Sequence, residues 1–94
     1  MNFEWDPEKA ASNFRKHGVT FEEAATVFQD PGTRTWPDPK HSHSERREIT
    51  IGSSRDGRLL FVSHTDRDGR IRVISARPVS AAERRQHAQE KTER

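Results

Sequence analysis

Arginine dominates the residues of this chain that could contact a charged ligand. The stretch IRVISARPVSAAERRQHAQ, residues 71–89, carries Arg72, Arg77, Arg84 and Arg85. Between residues 46 and 85, ten arginines stand against five acids. Because a guanidinium group binds phosphate through paired hydrogen bonds and stacks on bases, this half of the chain predicts a polyanion partner, usually nucleic acid. A solvated, arginine-rich surface is the alternative interpretation.

Few other residue types could carry chemistry. The chain has no cysteine, which excludes a thiolate nucleophile, a disulfide framework and a cysteine zinc site. His41 and His43 lie in a proline-rich segment and fall short of the three or four ligands of a metal site, so we expect no metal and no other cofactor. Trp5 and Trp36 could stack on bases, although a core or a partner interface is the expectation for both.

The size of the chain limits its organisation. With 94 residues and 29% hydrophobic content, it can bury one modest core, so we expect a single domain over residues 1–94. No apolar run approaches the length of a signal peptide or a membrane span, which predicts a soluble, cytoplasmic protein. We expect a flexible loop at about residues 37–45 and fraying of the tail after residue 87.

Two helices are predicted near the N-terminus. Asp6 as N-cap and Gly18 as a stop signal delimit a first helix over Pro7–His17. Thr20 and Glu23 form a capping box that opens a second helix, which ends before the proline of the DP pair that follows.

Alternating apolar and polar residues predict strands in the rest of the chain. The runs are Asn2–Trp5, a possible strand at Thr33–Trp36, Arg47–Gly52, Arg58–Thr65 and Ile71–Arg77. Asp-Gly pairs separate the last three runs and predict an antiparallel meander. A capping box of Ser80 and Glu83 then opens a C-terminal helix. The predicted fold class is α+β, with two N-terminal helices packed on the meander.

The meander has a predicted register. Two-residue turns would pair Arg55 with Arg58 and Arg67 with Arg70. The face toward the helices would then consist of Ile49, Ile51, Leu60, Val62, Ile71 and Val73. The opposite face would hold Thr50, Ser63, Thr65 and Arg72, with Glu48, Leu59, Phe61 and Ile74. A turn one residue longer would change this pairing.

Several separated motifs resemble one protein family. FEWDPEKAASNFRKHGVTFEEAATVFQD, HSERREITIG, GRLLFVSHTDR and IRVISAR…ER occur in this order, and together they resemble the BrnT family of bacterial type II toxins. This family shares the small fold of the RelE and ParE toxins. The resemblance implies an endoribonuclease that inhibits translation and growth, needs no metal, and is neutralised by a BrnA-like ribbon-helix-helix antitoxin. Operator DNA would be bound only through the antitoxin complex.

The resemblance also assigns candidate residues. The positions that match family motifs are Glu45 and Arg47 (E-x-R), Thr65 and Arg67 (T-x-R), Arg77 (the end of I-S-A-R), and Glu83 and Arg84 (the closing ER). Family members often carry a tyrosine shortly after this ER. The chain has no tyrosine, and His87 stands at the equivalent place.

RNA cleavage by its own 2′-hydroxyl needs a base, an acid and stabilisation of negative charge on phosphorus. Arginine is too basic to transfer protons readily, so the arginines are expected to bind phosphate and stabilise the transition state. The candidate catalytic residues are Glu45, Arg47, Arg67, Arg77 and His87, with His43 and His64 as alternative proton carriers, and the candidate RNA-binding residues are Arg46, Arg72 and Arg84.

These candidates need not form one site. Arg77 lies about six residues along its strand from the end near Arg47, roughly 20 Å away, so an RNA strand crossing the sheet would have to connect them. Arg77 could instead bond loop carbonyls or Glu83, Glu45 could be only an ion-pair partner, and His87 could be an exposed residue of a fraying helix. The alternative function is a non-catalytic nucleic-acid or antitoxin-binding module that acts as an operon co-repressor.

Overall fold

The computed structural model describes residues 1–92 and shows three α-helices and a five-stranded sheet in that range. The helices are α1 (Pro7–His17), α2 (Phe21–Thr26) and α3 (Ala81–Thr92), and the strands are β1 (Phe3–Glu4), β2 (Arg34–Pro37), β3 (Glu48–Ser53), β4 (Leu59–Arg67) and β5 (Arg70–Pro78). The strand order is β1-β5-β4-β3-β2, and every pairing is antiparallel except that of β1 with β5. The predicted α+β class is confirmed, and the two short strands predicted before the meander, β1 and β2, form the edges of the sheet.

Local signals set the limits of α1 and α2. The Asp6 side chain accepts a hydrogen bond from the backbone N–H two residues later at 2.8 Å, and Gly18 ends α1 in the left-handed conformation with φ 68°. The Thr20 hydroxyl accepts from the N–H of Glu23 at 3.0 Å. α2 is shorter than predicted, because the chain tightens into a 3₁₀ turn after Thr26.

Asn13 of α1 completes the edge of β5 beyond the short β1 strand. Its side-chain carbonyl accepts from the backbone N–H of Ala76 at 3.0 Å, and its amide group donates to the carbonyls of Ala76 at 2.8 Å and Val19 at 3.0 Å. Asn13 is buried, so these bonds satisfy backbone groups that water does not reach. The amide side chain thereby fixes α1 against the sheet.

The main core lies between the sheet and the two N-terminal helices. Its buried members are Val19, Phe21, Ala24, Val27, Leu60, Val62, Val73 and Ala76. Trp5 packs against this cluster, with its ring centroid 6.0 Å from that of Phe21 in an edge-to-face arrangement. The expectation of a core position for Trp5 is therefore confirmed.

β3 pairs with β4 one residue out of the predicted register. Ser53 lies opposite Leu59, whereas the two-residue turn would have paired Arg55 with Arg58. The turn instead holds five residues, and Gly57 supplies its left-handed position with φ 80°. At the second hairpin, β4 and β5 keep the predicted pairing at the turn and then shift register at a bulge farther along.

This shift of one residue moves each side chain of β3 to the opposite face of the sheet from the one predicted. Because side chains alternate along a strand, Thr50 and Gly52 now face the helices, and Ile49 and Ile51 face the opposite side. A Cβ atom at Gly52 would lie 2.5 Å from the Thr33 Cγ2 atom, so this position requires glycine. The predicted placement of both isoleucines on the helix-facing side is therefore wrong.

No helix within residues 1–92 is both long enough and apolar enough to cross a membrane.

Replacement of Asn13 by alanine tests how far α1 depends on the edge of β5. Asn13→Ala leaves a buried backbone N–H and two carbonyls without their partners, so we expect the free energy of unfolding to fall by about 2–4 kcal/mol in urea denaturation. Ser12→Ala, the neighbouring change, removes a hydroxyl that makes no hydrogen bond within residues 1–92 and serves as the control. Equal stability of the two variants would contradict this role of Asn13.

Candidate functional site

Three of the predicted catalytic residues meet at one end of the sheet. Glu45 and Arg47 precede β3, and Arg67 ends β4. One carboxylate oxygen of Glu45 is 3.8 Å from Arg47 Nε, and the other is 3.6 Å from Arg67 Nη2. The side chains are 33%, 30% and 50% exposed, in the same order, so a ligand can reach all of them. We call these three residues the acid–arginine cluster.

Hydrogen bonds anchor the backbone that carries this cluster. The Thr65 hydroxyl of β4 donates to the carbonyl of Arg46 at 2.5 Å. The Ser42 hydroxyl donates to the carbonyl of Asp38 at 2.6 Å and accepts from the N–H of Arg47 at 3.0 Å. The N–H of Asp38 donates to the carbonyl of Arg47 at 2.9 Å. The loop between β2 and β3, for which the sequence predicts flexibility, is thus tied together at its base.

The contacts within the cluster are loose. The Nε atom of Arg47 is buried and makes no hydrogen bond within residues 1–92, and its distance to the Glu45 carboxylate exceeds a hydrogen bond. An anion can contact the exposed part of the Arg47 side chain, which is 30% exposed, but not this buried atom. The cluster can therefore bind an anion through two guanidinium groups and accept a proton on the carboxylate beside it.

Arg77 lies away from the cluster and holds α3. Its guanidinium donates to both carboxylate oxygens of Glu83, at 2.8 and 2.9 Å, and to the carbonyl of Pro78 at 3.2 Å. It also lies 4.0 Å from the ring centroid of Phe61, its partner in β4. Roughly 20 Å of strand separates this position from Arg67. The sequence left open whether Arg77 binds phosphate or bonds loop carbonyls or Glu83. In the structure it contacts Glu83.

The Arg77–Glu83 pair is reinforced by the start of α3. The Glu83 carboxylate also accepts from the N–H of Ser80 at 2.8 Å, while the Ser80 hydroxyl accepts from the N–H of Glu83 at 3.1 Å, which confirms the predicted capping box. The hydrogen bonds from Arg77 lower the pKa of Glu83 to about 2, and the same contact raises the pKa of Arg77. The carboxylate is therefore ionised over the physiological range and committed to this contact.

α3 turns Glu83, His87 and Glu90 toward the sheet. His87 is only 6% exposed, and Glu90 forms an ion pair with Arg34 of β2. Arg84 is exposed, so it does not share the sheet-facing side of the helix with His87. α3 continues past His87 to the limit of the described residues, and fraying of this end of the helix stays a prediction. The prediction for the tail beyond residue 92 lies outside the described residues.

A cleft of about 350 Å³ separates α3 from the edge strand β2. Its lining residues are Arg34, Thr35, Trp36, Ile51, Glu83, Gln86, His87 and Glu90. We call it the α3 cleft. Sequence reasoning did not find it, because the predicted register placed Ile51 on the other face and His87 in a fraying helix. Arg34 and Trp36 are two residues apart in β2 and so lie on the same face of the strand. This spacing is the signal in the sequence that could have indicated that both line one cleft.

The remaining predicted RNA-binding arginines are dispersed. Arg72 on β5 donates to the carboxylate of Glu4 at 2.8 Å, and Arg70 lies 3.8 Å from the same group. Arg46 and Arg84 are exposed and make no ion pair within residues 1–92. Only Arg46 belongs to the segment that carries the acid–arginine cluster.

His64 belongs to the core and not to the cluster. Its Nε2 atom lies 2.7 Å from the hydroxyl of Thr50, and its ring meets that of Phe28 edge-on at 4.9 Å between centroids. Burial lowers the pKa of His64, which favours the neutral ring. His43 lies exposed in the loop before β3, and His41 lies 2.8 Å from Asp38. No group of three or more metal-ligating side chains occurs within residues 1–92.

Glu83→Gln tests the contact between α3 and the sheet. Because Arg77 lowers the pKa of Glu83 from 4.5 to about 2, the folded state is stabilised above pH 4.5 and loses this stabilisation as the pH falls toward 2. We expect the wild-type protein to exceed the variant in free energy of unfolding at about pH 6, and the difference to shrink toward about pH 2. Glu22→Gln, at an exposed carboxylate without an ion pair in residues 1–92, is the control. A difference that is independent of pH would contradict this contact.

Comparison with known proteins gives two positive results. A model of the family described as "Ribonuclease toxin, BrnT, of type II toxin-antitoxin system" matches residues 5–83. Among solved structures, the chain is similar to the Brucella abortus ribonuclease toxin BrnT, with 24% sequence identity and a TM-score of 0.67 over 85% of this chain and 97% of that one. At this identity the likeness supports the fold. Comparison with curated protein sequences gave no significant match. The family match covers most of the chain, which therefore belongs to the BrnT family of ribonuclease toxins of type II toxin–antitoxin systems.

Proposed function

We propose that the acid–arginine cluster cleaves RNA without a metal ion, through attack of the 2′-hydroxyl on the adjacent phosphate. The observation that carries this proposal is the position of the Glu45 carboxylate, 3.8 Å from Arg47 and 3.6 Å from Arg67. A phosphate that contacts both guanidinium groups lies beside a group that can accept the 2′-hydroxyl proton. Membership of a ribonuclease toxin family supports the reaction class.

Each group of the cluster has one role in this reaction. Glu45 takes the proton from the 2′-oxygen as the bond from that oxygen to phosphorus forms and the bond from phosphorus to the 5′-oxygen breaks. Arg47 and Arg67 stabilise the negative charge that develops on the phosphate oxygens through the exposed parts of their guanidinium groups. The leaving 5′-oxygen takes a proton from solvent. The products are a 2′,3′-cyclic phosphate and a 5′-hydroxyl end.

The other predicted site residues take supporting roles in this proposal. Arg46 is exposed beside the cluster and is placed to contact the RNA backbone. Arg72 is bonded to Glu4 and Arg84 lies on the exposed side of α3, so RNA contacts at these two residues stay predictions. Arg77 fixes α3 through Glu83 and is assigned no chemistry. His87 is buried, so it forms a wall of the α3 cleft and exchanges no proton with the substrate.

The proposal extends to the partner of the toxin. A type II toxin acts with an antitoxin, and we infer a BrnA-like protein with a ribbon-helix-helix domain, through which the complex binds operator DNA. Arg46, which makes no ion pair within residues 1–92, and the exposed half of Arg67 offer positive charge to an acidic partner segment. Binding there would place the antitoxin beside the cluster and neutralise the toxin.

Glu45→Gln tests the proposed reaction. The amide cannot accept the proton, so we expect RNA cleavage in the presence of EDTA to fall about 10²–10⁴-fold, with RNA affinity retained. The wild-type protein should cleave RNA equally well with and without the chelator. Cleavage is measured as loss of a defined single-stranded RNA and appearance of cyclic phosphate ends.

Two controls make this result interpretable. Glu22→Gln makes the same chemical change at an exposed residue of α2 and should cleave RNA at the wild-type rate. Loss of wild-type cleavage on addition of EDTA would refute metal independence. A wild-type protein that binds RNA without cutting it would favour the alternative of a non-catalytic module that acts as an operon co-repressor.

A further inference from the structure

We propose that the α3 cleft binds one base of the RNA strand whose phosphate contacts the acid–arginine cluster. Trp36 is the surface on which this base stacks. The inference rests on the proposed function, since it places a recognition site for the same substrate next to the same cluster.

The cleft and the cluster are neighbours on one side of the sheet. Trp36 of β2 lies opposite Ile49 of β3, and the hydrogen bond from the N–H of Asp38 to the carbonyl of Arg47 extends this pairing by one step. Arg47 is two residues before Ile49, so about 7 Å of strand separates the level of Trp36 from that of Arg47. One nucleotide can therefore span from the cluster to the cleft.

The acid–arginine cluster and the α3 cleft differ in charge, so each suits a different part of a nucleotide. The two carboxylates of the cleft are each paired with an arginine, Glu83 with Arg77 and Glu90 with Arg34. In the cluster, one carboxylate faces two guanidinium groups. A phosphate is therefore attracted to the cluster, whereas the cleft has no excess of positive charge and suits an uncharged base.

The lining of the cleft has the chemistry that base recognition requires. Trp36 is 38% exposed, so its ring is accessible to a ligand, and Ile51 and His87 also line the cleft. Base–aromatic stacking tolerates every base because each has a flat π-face. Gln86 donates to Glu90 at 3.1 Å and leaves its carbonyl oxygen as an acceptor for a base edge. The volume of about 350 Å³ falls within the usual range for small-ligand sites.

The test uses two oligonucleotides that cannot be cleaved. One is a short 2′-O-methyl RNA, and the other has the same length and backbone but no bases. By fluorescence anisotropy, Trp36→Ala should bind the first about 5- to 100-fold more weakly than the wild-type protein does, and should bind the abasic strand with unchanged affinity. Trp36→Phe keeps a stacking surface and should stay within a few-fold of wild type. Phe14→Ala removes an aromatic side chain that is 53% exposed on α1, outside the cleft, and should change neither affinity.

Each outcome separates the base site from the proposed reaction. If Trp36→Ala loses affinity for both oligonucleotides equally, or loses affinity for neither, the proposed base site is overturned. Because the probes lack the nucleophilic hydroxyl, their binding does not depend on catalysis. Base-dependent binding by a protein that does not cleave RNA would overturn the reaction and keep the base site. Cleavage of RNA together with equal affinity of the wild-type protein for both probes would overturn the base site alone.

Discussion

The carboxylate of Glu23 determines how β3 meets β4. It is buried beneath the turn between these strands, where it accepts hydrogen bonds from the Ser54 hydroxyl at 2.7 Å and from Arg58 Nε at 2.9 Å. These contacts lower its pKa, chiefly through Arg58, and hold a five-residue turn. The resulting register places Ile49 and Ile51 on the side away from the first two helices. That side becomes the surface on which α3 docks and along which the acid–arginine cluster is arranged.

α3 joins this surface mainly through polar contacts. Arg77 holds Glu83 near the start of the helix, and Arg34 holds Glu90 farther along. A helix docked by its polar side chains does not fill the space beneath it as an apolar helix would, and the cleft beside Trp36 is the consequence. Among the arginines of residues 1–92, Arg58 and Arg77 are committed to carboxylates that hold the fold together, whereas Arg47 and Arg67 are only loosely paired and, in the proposed function, contact the substrate.

Much of the fold was predictable because its signals are local. The N-cap at Asp6 and the stop at Gly18 define α1 within the neighbouring residues, and the Asp-Gly pairs mark both hairpins. The register of β3 was not predictable from local patterns, since it depends on Glu23, which is distant in sequence and was interpreted only as half of a capping box. The role of Arg77 stayed open for the same reason. Motif spacing cannot distinguish an arginine that is committed to a carboxylate from one that is available to a phosphate.

The division of the arginines can be measured directly by comparing Arg67→Ala with Arg77→Ala, each assayed for RNA cleavage per folded molecule and for free energy of unfolding. Arg67 is half exposed and only loosely paired, so its loss should leave stability nearly unchanged and reduce cleavage about 10²-fold or more. Arg77 is committed to Glu83 and Phe61, so its loss should reduce stability and leave cleavage by the folded protein within a few-fold of wild type. The reverse pattern, with cleavage lost at Arg77 and retained at Arg67, would contradict the assignment of the chemistry to the acid–arginine cluster.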